Sequence, residues 1–288
     1  MKQIAVLSGK GGTGKTILTG SFAVLARNKV MVDCDVDAAD LHILLKPSVR
    51  ERYDFQAGKL ASIDVDACLQ CKICINLCRF KAIDNAFKVN RIDCEGCGFC
   101  YHACPVGAVR MEDKIAGEWF VSDTKYGTFV HAKLGIAEDN SGKLAAKIRG
   151  AAKDIAEREN LAYVIIDGPP GVGCPVMATL AGIDLAVLVT EPTLSGLHDM
   201  SRVCELTAHF KIPTAVVVNK YDLNTANTDM IQKSCAERGI KVIGKIPFSP
   251  DVCASVVNCT PYPEYSNGDI RDIIVNIWNT AQEMVLGK

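Results

Sequence analysis

Two sets of residues in this chain have the types and spacing to do chemistry. The first is Gly9 to Thr16, which reads G-K-G-G-T-G-K-T and fills the phosphate-loop pattern G-x-x-x-x-G-K-S/T. Glycine lets successive backbone N–H groups turn inward and cradle phosphate oxygens. Lys15 is then placed to reach the β- and γ-phosphates, and the Thr16 hydroxyl to ligate Mg2+. The second set is eight of the fourteen cysteines, in two runs of one spacing: Cys68, Cys71, Cys74 and Cys78, then Cys94, Cys97, Cys100 and Cys104. Thiolates so arranged suit soft metals and iron–sulfur centres.

Elements must hold both sets. An apolar run, Ile4 to Leu7, precedes the loop and a helix-like run, Thr16 to Arg27, follows it. That context adds the positive end of a helix dipole to the phosphate cradle. A second buried strand, Lys29 to Val32, ends in Asp33, Asp35 and Asp37, at the strand end where α/β folds place ligands. Tyr163 to Ile166 is an apolar strand ending in Asp167, the Walker B arrangement whose carboxylate holds Mg2+. Leu185 to Thr190, Thr214 to Val218 and Val242 to Ile246 are further strands, suited to a parallel sheet buried on both faces. Gly142 to Asn160 has the apolar period of an amphipathic helix, as has Asp269 to Leu286. The expected fold is α/β, a mostly parallel twisted sheet flanked by helices. The rhythm stops near Arg50 and resumes near Ile115, with strands over Glu118 to Ser122 and Thr128 to Lys133. Residues 1–56 and 116–288 are expected to form a nucleotide-binding domain, with 57–115 a small inserted α+β domain.

Lys10 directly follows the first glycine, so the stretch reads S-G-K-G-G-T-G-K-T. This resembles the deviant Walker A loop of the MinD/ParA/nitrogenase-iron-protein class of P-loop ATPases. The resemblance covers essentially the whole chain. It implies a nucleotide-sandwich dimer in which Lys10 crosses to the partner's nucleotide and stabilises the transferred phosphoryl group. Asp33 and Asp35 match the switch I D-x-D of that class. By resemblance, Asp35 orients or activates the attacking water and Asp33 lies near the water shell of the metal. Asp37 has no clear counterpart and suits a helix cap. Asp167-Gly168-Pro169-Pro170-Gly171 resembles switch II. The likeness also assigns nucleotide contacts to Gly9, Lys10, Gly11, Gly12, Thr13, Gly14, Lys15, Thr16 and Ile17, and adenine contacts to Asn219, Pro247 and Phe248.

The cysteine runs are an internal repeat, each preceded by Ile-Asp (Ile63-Asp64 and Ile92-Asp93). They resemble the bacterial two-cluster ferredoxin pattern, in which the fourth cysteine of each run serves the other cluster. The resemblance implies one 4Fe–4S cluster on Cys68, Cys71, Cys74 and Cys104, and a second on Cys78, Cys94, Cys97 and Cys100. Zinc sites take four ligands as two pairs rather than repeated runs of four, which favours clusters over zinc. Pro105 follows Cys104, but Arg79 follows Cys78. A cation beside those thiolates would raise the potential of that cluster and make the two inequivalent.

A formal net charge of −1 over 288 residues supplies no basic field for nucleic acid. No apolar run approaches the roughly 20 residues that span a bilayer, and none reads as a secretory signal. A cytoplasmic chain with reduced thiols is expected, not a disulfide framework. Among the other six cysteines, Cys34, Cys204, Cys235, Cys253 and Cys259 read mostly as small core residues. Cys174 lies just beyond the switch II stretch, where the nitrogenase iron protein carries a ligand to an intersubunit cluster. The last helix carries Asp269, Asp272 and Glu283 on its polar face, which reads as core packing rather than membrane attachment.

These readings lead to an Mg2+-dependent ATPase, slow and stimulated by a partner. It would couple nucleotide-driven rearrangement of a homodimer or paralogue heterodimer to electron transfer through two 4Fe–4S clusters, towards a redox or metalloprotein partner. A maturation or scaffold ATPase for iron–sulfur or metal centres, and a non-catalytic nucleotide-dependent assembly module, stand as alternatives.

Overall fold

Runs of Val, Ile and Leu that are short and rich in β-branched residues form the inner strands of this chain. The computed structural model describes residues 1–138 and 140–287. Its strands are β1 (Lys2–Ser8), β2 (Lys29–Asp33), β3 (Ser48–Ile63), β4 (Val109–Thr124), β5 (Gly127–Leu134), β6 (Tyr163–Pro170), β7 (Leu185–Thr190), β8 (Thr214–Asn219) and β9 (Lys241–Ile246). Among the described residues they form one sheet in the order β3-β4-β5-β2-β6-β1-β7-β8-β9. The pairs from β5 to β9 along that order are all parallel. The longer helices supply the crossovers that parallel neighbours require. They are α1 (Lys15–Leu25), then, after short α2 (Leu41–Leu45), α3 (Ile73–Leu77) and α4 (Phe99–Ala103), α5 (Ser141–Arg158). Next come α6 (Cys174–Leu180), α7 (Leu194–His209), α8 (Thr225–Glu237), α9 (Pro250–Val257), α10 (Tyr262–Tyr265) and α11 (Asp269–Leu286).

The central strands β1, β2, β6 and β7 are buried almost along their whole length, as a sheet covered on both faces demands. Phe22 of α1 and Trp278 of α11 meet at 5.1 Å between ring centroids, and Tyr163 meets Trp278 edge-on at 5.6 Å. Helix α11 sinks Ile274, Ile277, Trp278, Ala281 and Val285 into this core, so packing uses its apolar face. Among the described residues, no helix is long and apolar enough to cross a membrane.

The chain divides into two compact units. One comprises Met1–Arg52, Trp119–Lys133 and Ser141–Lys288; the other comprises Tyr53–Glu118 and Leu134–Asn140. Strands β3 and β4 each run through a boundary between them. The sequence suggests only short segments here, but both are 16-residue strands. The reason lies in Arg50-Glu51-Arg52-Tyr53-Asp54 at the start of β3. β3 is the edge strand, largely exposed, and charge on an edge hides the alternation that marks a half-buried strand while discouraging stray pairing. The second unit carries the cysteine repeat. Left-handed residues recur at matched places in it: Gln70 and Gly96, Lys72 and Gly98, Lys81 and Gly107. Each run therefore bends the same way before its short helix, α3 or α4.

Candidate functional site

Strand β1 ends at Ser8, and the loop that follows opens α1 at Lys15. Gly14 caps that helix at φ +91°, and a Cβ there would strike the Asn219 side chain. Gly9 sits hard against Asp199 in the same way. The loop borders a cavity of about 380 Å3 whose wall includes Gly11, Gly12, Thr13, Gly14, Lys15, Thr16, Ile17 and Asp35. The Thr13 hydroxyl is buried and has no hydrogen-bond partner among the described residues. A buried donor without an acceptor fits a loop that binds phosphate.

Strand register brings the charges together. Asp33 of β2 lies opposite Asp167 of β6. Lys15 Nζ stands 3.2 Å from Asp35 Oδ2 and 3.1 Å from Asp167 Oδ1. Thr16 Oγ1 donates to Asp167 Oδ2 at 2.8 Å, and Thr19 Oγ1 donates to Asp167 Oδ1 at 2.9 Å. Asp33 accepts from Asp35 N at 3.1 Å and Leu41 N at 3.2 Å. Burial, then the neighbouring Asp167 charge, push the Asp33 carboxyl well up, against the pull of Lys15. Burial also pushes Asp35 up, and Lys15 only partly offsets it. Burial draws Lys15 down, but Asp167, Asp35 and Asp33 together outweigh it and the net shift is upward. Three carboxylates against one ammonium leave a formal charge of −2 here. A pocket of that charge with a threonine hydroxyl beside a carboxylate fits a divalent, oxygen-ligated cation such as Mg2+.

Other expected residues fall elsewhere. Lys10 is held by its own chain: Nζ lies 3.6 Å from Glu191 Oε2 and bonds Thr193 Oγ1 at 3.3 Å and Ser195 Oγ at 3.2 Å. Asn219 Nδ2 donates to Thr13 O at 2.8 Å, so its amide supports the loop. Pro247 and Phe248 do not line the cavity; Phe248 is exposed, and its N–H donates to Asp222. Ile43, Leu44 and Val256 supply the apolar wall instead. Sequence reasoning missed those three, which come from distant stretches. It also missed Thr19, although Thr16 and Thr19 sit three apart on one helix face.

The eight repeat cysteines sort into two cavities in the second unit. Cys78, Cys94, Cys97 and Cys100 line one of about 690 Å3; Cys68, Cys71, Cys74 and Cys104 line a tight one of about 10 Å3. Each cavity thus takes three cysteines from one run and the last from the other. Backbone N–H groups of Gln70, Ala82 and Ala108 point at the sulfurs of Cys68, Cys78 and Cys104 at 3.3–3.4 Å. Burial raises the Cys74 and Cys100 thiols. For Cys104 burial also acts upward, but the N–H groups of Val106, Ala108, Val109 and Gly107 prevail and the thiol is lowered. Sets of four thiols aimed at a common space, with N–H donors to sulfur, fit an iron–sulfur centre. Of the remaining cysteines, Cys34, Cys204 and Cys235 are buried, Cys259 is partly buried, and Cys174 and Cys253 are exposed. Cys253 departs from the core reading because α9 buries only Ser255.

Residues 4–261 match the model of the CobQ/CobB/MinD/ParA nucleotide binding domain, and the chain belongs to that family. It is 31% identical over 289 residues to the uncharacterized protein MJ0578 of Methanocaldococcus jannaschii, covering 98% of this chain and 97% of the relative. Its fold is that of the Pyrococcus furiosus cell division ATPase MinD, with a TM-score of 0.59 at 17% identity over 98% of this chain and 99% of that one. A stretch of 50 residues, 17% of the chain, is 40% identical to 62% of the pyruvate synthase subunit PorD of Methanothermobacter marburgensis.

Proposed function

We propose that this chain is an Mg2+-dependent ATPase that couples ATP turnover to electron transfer through two 4Fe–4S clusters. The observation that carries the reading is the crossed sorting of eight cysteines into two cavities, in a chain that also holds the Lys15–Asp35–Asp167 charge cluster. Cys68, Cys71, Cys74 and Cys104 would hold one cluster, and Cys78, Cys94, Cys97 and Cys100 the other. Bound there, the clusters would accept and release single electrons.

At the phosphate loop, Thr16 and Asp167 would hold Mg2+, directly or through water. Lys15 would exchange its carboxylate partners for phosphate oxygens, which leaves Asp35 to orient the attacking water. Asp33, tied to the N–H groups of Asp35 and Leu41, fixes that segment and stays one layer behind the metal. Lys10 would reach the nucleotide of a second subunit, as the resemblance implies, once it leaves Glu191, Thr193 and Ser195. The second subunit is another copy or a paralogue. The Asp35 segment continues through α2 into β3, the strand that carries the chain into the cysteine unit. That continuity supports coupling between nucleotide state and redox state. Complete ligation by the chain's own cysteines favours permanent centres over scaffolded ones.

Anaerobically purified protein should contain about eight irons per chain and hydrolyse ATP, with hydrolysis abolished in Lys15→Ala. Zinc at the cysteines, or undiminished hydrolysis in the variant, contradicts the reading.

A further inference from the structure

Resting on the cluster reading above, we infer that the two centres differ in access. The one held by Cys78, Cys94, Cys97 and Cys100 is the port through which the cysteine unit exchanges electrons and iron with solutes. The one held by Cys68, Cys71, Cys74 and Cys104 is sealed. The repeat makes each cradle a control for the other, since both have the same cysteine spacing, the same left-handed residues and a five-residue helix. Their cavities nevertheless measure about 690 Å3 and about 10 Å3.

Matched positions explain the difference. Leu69 and Pro105 line the tight cavity, where the open one has Glu95 and Arg79. Leucine and proline close over an apolar space, whereas charged side chains turn to water and hold a mouth open. Phe87, 8% exposed, packs into the tight cavity, while Phe80 and Phe99 stand 47% and 59% exposed at the rim of the open one. Water and the Arg79 cation both favour the more negative, reduced state of the centre they adjoin. The open centre is therefore reduced first.

The test uses anaerobically purified full-length holoprotein, reduced with dithionite and mixed with an iron(II) chelator, bathophenanthroline disulfonate. A starting content of about eight irons per chain checks the cluster reading by itself. Iron should then leave in two phases of equal amplitude, the fast one roughly tenfold or more faster. Phe80→Ala combined with Phe99→Ala, both at exposed positions, should speed the fast phase and leave the slow one unchanged. Glu95→Leu combined with Arg79→Pro should slow the fast phase and lower the higher of two midpoints in an EPR-monitored redox titration. About eight irons leaving in a single phase would overturn the inference while sparing the cluster reading. So would either variant pair acting on the slow phase alone.

Discussion

Lys15 and Cys74 are both buried in a binding loop, 6% and 8% exposed, yet different things surround them. Lys15 belongs to a unit whose core runs through β1, β6, β7, α1 and α11, with Phe22, Ile165, Val187, Ile277 and Trp278 packed together. Cys74 belongs to a cluster whose buried members are Cys74, Ile83 and Phe87, with Cys68, Cys78 and Cys100 partly buried around them. In the first unit packing builds the site and the ligand arrives afterwards. In the second, the proposed ligands are themselves much of the core. A unit this small buries too little apolar surface to stand alone, which is where nature resorts to metal or disulfide. Loss of ligand should therefore cost the first unit its function and the second its fold.

The sharpest break of that contrast is iron removal. Stripping iron should erase hydrogen-exchange protection across residues 57–115, while the amides of β1, β6 and β7 keep theirs. Protection that survives in the cysteine unit would put packing, not metal, in charge of both units. Next in size is Lys15→Ala. It leaves Asp33, Asp35 and Asp167 without their cation, so stability should fall by about 3 kcal/mol, and nucleotide affinity by roughly 100-fold or more, in urea titration and calorimetry. The cysteine unit should keep its iron in this variant.

Acid gives a third contrast. Burial pulls His131 down to about 4, with a smaller contribution from His42. Its ring stacks on Phe129 at 4.6 Å and bonds Ser122 Oγ at 2.9 Å. The unfolded chain takes up that proton below its ordinary value of about 6.5, but the folded chain waits until about 4. Stability of the nucleotide unit should thus fall as pH drops through this window, by at most about 3 kcal/mol, and be indifferent to this residue above it. His131→Gln should flatten that limb in thermal melts between the two values. The smallest effect belongs to Thr19→Val, which removes one buried bond to Asp167. About 1–2 kcal/mol of stability should go, with iron content unchanged.

Much of the nucleotide unit was legible because its strands are unbroken Val/Ile runs and its loop is one contiguous motif. Leu185–Thr190 and Asp269–Leu286 are the same in sequence and structure for that reason. β3 was not legible, because Arg50 to Asp54 put charge on an exposed edge. The cavity wall was not legible either: Ile43, Leu44 and Val256 carry no motif and meet only through the tertiary fold. Pro247 and Phe248 show the cost of likeness without geometry, since the chain turns Phe248 outward. The crossed grouping of cysteines could be anticipated because spacing alone limits which thiols converge. The difference in room between the two cradles could not, since it depends on how Leu69, Phe87 and Pro105 pack.

Coupling between the two units is the central claim, and EPR of the dithionite-reduced holoprotein with and without Mg·ATP tests it most directly. The account predicts that Mg·ATP changes the line shape or midpoint of at least one cluster, and that Lys15→Ala abolishes the change. Identical spectra and midpoints in wild-type protein with ATP demonstrably bound would contradict it.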